Sequence, residues 1–456
     1  MTKLQTAAII LAAGKGTRMK SRRHKVLHPL AGRPMLDHVL ASLDCLGIDR
    51  RVLVVGDKRE QFTAYGERLC IALQEPQLGT GHAAMQARQA LADFAGVALI
   101  LYGDVPLITP DTLARLTAAV ADGPEDRALA VLGFKAADPG AYGRLVVGPG
   151  DSLMAIVEYK DATSSERAIA LCNSGVMAVR APLLFALLDA VGNDNAAGEY
   201  YLTDIVAVAE RKRLAATVVM AEEREVLGVN ARDELARLER LYQDRRRAEA
   251  MAAGVTLIDP ESVFFSFDTR LGEDVTIAPH VVFGPGVTVE EGASIHAFSH
   301  LAGCHVRAGA SVGPFARLRG GADIGAKAKV GNFVEIKKTT LGAGAKASHL
   351  AYLGDADIGP DANIGAGTIT CNYDGFFKYR TVIGAGAFIG SNTALVAPVS
   401  VGAGAIIGAG SVIAKDVAKD ALAVARGEQW DRPGAAARFR ERKAAAKAAG
   451  KMGKKD

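Results

Sequence analysis

At 456 residues the chain is longer than one hydrophobic core ordinarily serves, so two or three domains are expected. A composition 49% hydrophobic and 23% charged excludes a disordered chain, and no apolar run reaches the roughly 18–20 residues that span a bilayer. The net charge of +4 is confined to the tail Ala435–Asp456, which carries +6 by itself, so charge does not mark the rest as a nucleic-acid binder.

From the start, apolar runs at Ala7–Leu11, Val52–Val55, Val97–Leu101 and Ala128–Phe134 read as strands, with helices between them at Met35–Leu46 and Gly81–Leu91. The first run has one basic residue before it and no small-residue cleavage pattern after it, which suits a strand better than a secretory signal. Such alternation predicts βαβ units and a mostly parallel, Rossmann-like α/β sheet with ligands at the carboxyl ends of its strands. Arg232 to Ala253 then reads as one charged helix stopping at Gly254, about 33 Å long and sufficient to separate two domains.

Beyond it a bulky residue returns every sixth position: Leu271, Ile277, Phe283, Val289, Ile295, Leu301; after a one-residue slip Val306, Val312, Leu318, Ile324, Val330, Ile336; and again Ile383, Ile389, Leu395, Val401, Ile407, Ile413. Neither a helix nor an alternating strand repeats at six, and hexads rich in Gly and Ala predict a parallel β-helix of stacked coils. The segment Cys371–Arg380 breaks the hexad with aromatic and polar residues and is expected to protrude as a loop. The Ala/Lys/Arg tail reads as a solvated, frayed terminus. Five scattered cysteines without metal-type spacing favour a reducing cytoplasm and argue against structural zinc.

Chemistry is concentrated at two places. The string Leu11-Ala12-Ala13-Gly14-Lys15-Gly16-Thr17-Arg18-Met19, with Lys25 beyond it, is a Gly-rich turn after a strand, whose N–H groups suit phosphate oxygens. It is neither the dinucleotide fingerprint nor a P-loop, and alone it fits a plain strand-to-helix turn equally well. Asp104, after an apolar strand, suits Mg²⁺, and equally a turn. In the hexad half, His349 offers an imidazole, the side chain most often used as a general base, while His280, His296, His300 and His305 read as structural.

The glycine string is followed by Gln74, Leu78-Gly79-Thr80-Gly81-His82, Tyr102-Gly103-Asp104-Val105-Pro106, Tyr142-Gly143-Arg144, Glu158-Tyr159-Lys160-Asp161, Asn173-Ser174-Gly175 and Gly228-Val229-Asn230. This series resembles the signature of sugar-1-phosphate nucleotidyltransferases. With the hexads, the likeness extends over nearly the whole chain to the bacterial family that acetylates glucosamine-1-phosphate and then uridylylates the product. That resemblance implies a nucleotidyltransferase domain over 1–228, a linker helix over 229–254, a left-handed β-helix acetyltransferase over 255–425, and a C-terminal arm and basic tail over 426–456.

For uridylyl transfer, the resemblance implies that Arg18 and Lys25 stabilise the triphosphate and that Asp104 and Asn230 ligate Mg²⁺. It places UTP and the sugar on Leu11, Ala12, Ala13, Gly14, Gln74, Gly79, Thr80, Tyr102, Gly103, Gly143, Glu158 and Asn173. For acetyl transfer it implies His349 as base with Glu335 supporting, near the amine or His349. Arg319, Lys337, Tyr352 and Asn363 would lie on the sugar phosphate, and Ala366, Asn372, Tyr373, Ser391, Ala409 and Arg426 on acetyl-CoA. It further implies N-acetylglucosamine-1-phosphate as the second sugar substrate and a homotrimer in the cytoplasm, with no nucleic acid and no membrane insertion. Two departures stand out: His24 and Gly320 occupy positions where the family has proline. Rival readings are a single-activity nucleotidyltransferase with a structural β-helix, and a non-catalytic solenoid scaffold. His349 with Lys337 and the Asn372-Tyr373 loop speaks against the first; Asp104 and Asn230 beside an intact glycine turn speak against the second.

Overall fold

The computed structural model describes residues 5–48, 50–149 and 152–449, and the chain divides into two compact units. One runs through Thr269 and adds Phe283–Gly286; the other takes Arg270–Val282 and continues from Val287.

The first unit is built on a nine-stranded sheet. Its strands are β1 (Thr6–Ala12), β2 (Arg50–Val55), β3 (Cys70–Leu73), β4 (Val97–Tyr102), β5 (Arg127–Lys135), β6 (Arg144–Val147), β7 (Leu153–Val157), β8 (Leu171–Arg180) and β9 (Ala215–Met220). They are ordered β9-β5-β8-β4-β1-β2-β3, with β6 and β7 attached beside β8. β1 is parallel to β2 and β4, whereas β8 lies antiparallel between β4 and β5. Both faces of the central strands are apolar because both are covered: Ile9 and Val54 belong to one core, Ile10 and Leu53 to the other. Register then builds the site. Leu11 lies opposite Tyr102, so the glycine turn leaving β1 and the Gly103-Asp104 turn leaving β4 emerge side by side.

Two expected helices differ from the sequence reading. Gly81–Leu91 is split into Thr80–Met85 and a short 3-10 turn, Gln89–Leu91. The N–H groups of Gln86, Ala87 and Arg88 each reach back three residues, to Ala83, Ala84 and Met85, which tightens the helix out of α geometry. The charged helix Arg232–Ala252 ends as expected before Gly254, whose φ of +89° a glycine adopts without strain. Within the first unit it is a packing element, because Leu238 and Tyr242 are buried with Met19, Leu30, Met35 and Leu107.

The second unit stacks short parallel strands into three sheets. One buried ladder runs Ile277, Ile295, Val312, Val330, Ala347, Ile364, Ile389, Ile407, stepping mostly by 17 or 18 residues per coil. Ala347 and Thr370 are inward positions that the hexad count missed, being small or polar. Thr370 is accommodated because its hydroxyl donates to the Gly354 carbonyl (3.0 Å) and accepts from the Gly354 N–H (2.8 Å). Cys371 stays in its strand, in register with Val396, and the chain from Asn372 to Arg380 leaves the stack as expected, with a Tyr373–Lys378 bridge and Phe376 and Phe377 exposed. At one corner, His280, Phe298, Phe315, Phe333 and Leu350 all have φ between +49° and +60°, and the successive rings from His280 to Phe333 stack 4.9–5.2 Å apart. The basic segment Ala435–Ala448 is helical and exposed, since its Ala, Arg and Lys are good helix formers; the tail beyond Ala449 lies outside the described residues.

Candidate active sites

In the first unit, a cleft of about 530 Å³ opens at the carboxyl ends of β1 and β4. Leu11, Ala12, Ala13, Gly14, Lys25, Gln74, Gly79, Thr80, Tyr102, Asp104 and Asn230 line it. Gly103 sits beneath, donating its N–H to the Leu11 carbonyl at 3.0 Å, and a side chain there would press on Val26. Gly79 must be glycine: its φ is +109°, and a Cβ would fall 2.6 Å from the Tyr200 carbonyl oxygen. Gln74 is locked by donating to the Gly79 carbonyl at 2.9 Å, and Thr80 by accepting from the Leu202 N–H at 3.0 Å. Arg18 lies exposed in the turn Thr17–Met19 and does not line the cleft.

The ammonium of Lys25 is ion-paired with Asp104 and lies 3.1 Å from Oδ1 of Asn230. Two oxygens from distant segments therefore converge on one cation, a donor set of one carboxylate and one amide that fits Mg²⁺. Asn230 is fixed by the helix after it, since Glu234 accepts from the N–H groups of both Asn230 and Ala231.

Gly143, Glu158 and Asn173 form a second group beside Tyr102. The Asn173 N–H donates to the Gly143 carbonyl at 2.8 Å, and Oδ1 of Asn173 accepts from the Gly175 N–H at 2.9 Å. Burial pushes the Glu158 carboxyl up, against a hydrogen bond from Thr203, with Asp204 and Asp161 adding to the rise. Burial, then the Glu158 and Asp104 carboxylates, hold the Tyr102 phenol above its ordinary range.

His24 does not loosen its loop. Its φ of −62° is the angle a proline would impose, and burial fixes it. The ring packs edge-on to Phe62 at 4.9 Å, and the His24 N–H donates to Gln61 at 2.8 Å. Burial, followed by Lys58 and Lys25, lowers its pKa to about 4, so it adds no charge. Gln77 also lines the cleft and donates to the Ala13 carbonyl at 2.6 Å; its place between Gln74 and Gly79 was the signal that the sequence reading passed over.

In the second unit, Nδ1 of His349 lies 2.6 Å from Oδ1 of Asn332, one coil earlier in the same sheet. Glu335 faces Arg319 at 2.7 Å and Arg317 at 4.0 Å, which explains its presence as the anchor of a guanidinium. That ion pair also steadies the turn at Gly320, whose carbonyl accepts from the Lys338 N–H. Lys378, on the protruding loop, and then Arg319 hold the Lys337 ammonium below its ordinary range, so three cations crowd together as an anion site requires. Lys378 was not singled out in the sequence, because a lysine in an exposed loop looks unexceptional until the loop folds back.

Tyr352 pairs in register with Glu335, and Asn363 with Lys346. The Tyr352 hydroxyl and the Asn372 amide both lie against Gly354, where a Cβ would meet them at 2.5 and 2.8 Å. Asn372 is buried and donates to Asp355, whereas Tyr373 is exposed. Ala366, Ser391 and Ala409 occupy matching turns on successive coils: their carbonyls accept from Asn392, Gly410 and Arg426 in order, the last through the guanidinium at 2.6 Å.

The chain matches the model of the MobA-like NTP transferase domain over residues 8–260. It matches that of the bacterial transferase hexapeptide (six repeats) over 268–303 and 380–415. It is 58% identical over 448 residues to the bifunctional protein GlmU of Paramagnetospirillum magneticum, covering 98% of this chain and 99% of that one. To the bifunctional protein GlmU of Sphingopyxis alaskensis it is 57% identical, covering 95% and 96%, and to that of Zymomonas mobilis 54%, covering 96% and 98%.

Proposed function

The chain belongs to the GlmU family of bifunctional transferases, and we propose that its two units make UDP-N-acetylglucosamine in succession, each at the site described above. The observations that support this reading are the convergence of Asp104, Asn230 and Lys25 in one unit, and in the other an exposed, hydrogen-bonded His349 together with the cationic cluster of Lys337, Lys378 and Arg319.

In the second unit, His349 takes a proton from the amine of glucosamine-1-phosphate as its nitrogen attacks the thioester carbonyl of acetyl-CoA. The C–N bond forms, the C–S bond breaks, and the departing thiolate is protonated to free coenzyme A. Arg319, Lys337, Tyr352 and Asn363 hold the sugar phosphate. Ala366, Ser391, Ala409 and Arg426 give the coenzyme a row of turns to lie along, with Asn372 and Tyr373 closing it from the loop.

In the first unit, a phosphate oxygen of N-acetylglucosamine-1-phosphate attacks the α-phosphorus of UTP and pyrophosphate leaves, a transfer governed by alignment and charge neutralisation. Gln74, Gly79 and Thr80 read the base; Leu11 to Gly14 and Gly103 shape the floor; Gly143, Glu158 and Asn173 bind the acetylated sugar. Lys25 meets the triphosphate in the cleft, whereas Arg18, outside the cleft lining, would have to swing in from its exposed turn to reach it. Asp104 and Asn230 would hold Mg²⁺, which would supply charge neutralisation of the phosphate oxygens.

Glucosamine-1-phosphate with acetyl-CoA should release a free thiol, whereas N-acetylglucosamine-1-phosphate with UTP and Mg²⁺ should release pyrophosphate. A chelator should abolish only the second reaction. Thiol release without pyrophosphate release, or the reverse, would reduce the chain to one activity.

Hexapeptide repeats suggest trimers, and the exposed ridge Phe298-Phe315-Phe333 supports a homotrimer joined along the β-helix. Phe315→Asp, placing a charge in that ridge, should yield monomers by analytical ultracentrifugation at micromolar concentration. A trimer retained by that variant would exclude the ridge from the interface. Among the described residues no helix is long and apolar enough to cross a membrane, and all five cysteines are free, which supports a cytoplasmic location.

A further inference from the structure

We infer that Asn332 is a positioning residue for acetyl transfer: by accepting a hydrogen bond from Nδ1 of His349, it keeps the lone pair on Nε2. The inference rests on the reading of His349 as the base.

Asn332 and His349 are register partners in the parallel ladder between Lys329–Asn332 and Lys346–His349. The Leu350 N–H donates to the Asn332 carbonyl at 3.0 Å, and the Phe333 N–H to the Phe315 carbonyl at 3.1 Å. Both backbones are therefore fixed, and the separation of the two side chains follows from the coil spacing. Across that gap Oδ1 of Asn332 stands 2.6 Å from Nδ1 of His349. A carbonyl oxygen only accepts, so the ring must carry its hydrogen on Nδ1. Free imidazole side chains in water prefer the opposite tautomer, with the hydrogen on Nε2. A ring as exposed as that of His349 would drift to that form, which presents a donor where the reaction needs an acceptor. Asn332 reverses the preference with a neutral group.

The test combines ¹⁵N-histidine spectra of the full-length protein with steady-state kinetics, the His349 signals being assigned by their loss in His349→Ala. In the wild type, Nδ1 should be the protonated nitrogen. In Asn332→Leu, of similar volume but without an acceptor, Nε2–H should dominate. The kcat for acetyl transfer should fall roughly 10–100-fold with KM for both substrates within about two-fold. Asn332→Asp should return kcat to within about three-fold of wild type, because a carboxylate accepts the same proton. Uridylyl transfer, unchanged in all three, verifies folding. A wild-type ring protonated on Nε2, or full kcat in Asn332→Leu, would overturn the inference. The spectra report the tautomer without reference to turnover. Acetyl transfer surviving in His349→Ala would therefore refute the base assignment and remain distinct from failure of the Asn332 contact.

Discussion

Asp104→Ala is expected to lower kcat/KM for uridylyl transfer by about 10³-fold or more, equivalent to ~4 kcal/mol of transition-state stabilisation, while acetyl transfer stays within about two-fold. The carboxylate stands where β1 and β4 deliver the glycine turn and the Gly103 turn together, and it neutralises Lys25 there. Its loss removes the carboxylate proposed to hold the metal and leaves the Lys25 ammonium beside Oδ1 of Asn230. Alanine is smaller and the site is a cleft, so folding should survive, as normal acetylation would show. Asp104→Asn preserves shape and one oxygen but not the charge; an intermediate loss there would separate charge from geometry. If acetyl transfer disappeared together with uridylyl transfer, the assignment of Asp104 to one chemistry would be wrong.

His349→Ala should have the mirror effect. Acetyl transfer should fall by about 10²–10⁴-fold, the range for deleting a general base, with pyrophosphate release unaltered. The side chain is exposed at the end of a short strand, and its backbone is held by the ladder, so the coil should persist without the ring. Thiol release from acetyl-CoA at several concentrations of glucosamine-1-phosphate checks this. A drop confined to KM would make His349 a binding group, and simultaneous loss of both reactions would show that the two sites are not independent.

How much of this was legible in the sequence depends on whether a residue's meaning is local. Four strands of the sheet (β1, β2, β4 and β5) and the hexads were, because burial on two faces or along one ladder restricts the side chains at those positions directly. Coils through Ala347 and Thr370 were hidden, because a ladder tolerates a small residue or a hydrogen-bonded hydroxyl where neighbours close the gap. The helix Arg232–Ala252 was legible in extent but not in role: Leu238 and Tyr242 mark one apolar side, and only the fold shows what covers it. Asn332 and Lys378 were invisible for another reason. Asn332 is half-buried and Lys378 exposed, and the partner of each is set by coil spacing or by a loop turning back. The spacing to His349 is one coil, so counting back by the repeat would have found Asn332. The proline departures resolved oppositely: burial of His24 replaces the ring constraint, while Gly320 relies on hydrogen bonds and the Arg319–Glu335 pair.

Ile364 pairs with Ile389 across a stretch that contains Cys371–Arg380, and the rungs above and below keep their alignment. The excursion is therefore accommodated without shifting the register of the column, to which Asn372 and Arg380 tie it through Asp355 and Asp357. Closing a longer excursion adds only about 0.6 kcal/mol for each doubling of its length. On the proposed function, recognition of the acyl donor can thus be retuned by lengthening or rewriting the exposed part of this one segment, with the register of the scaffold kept.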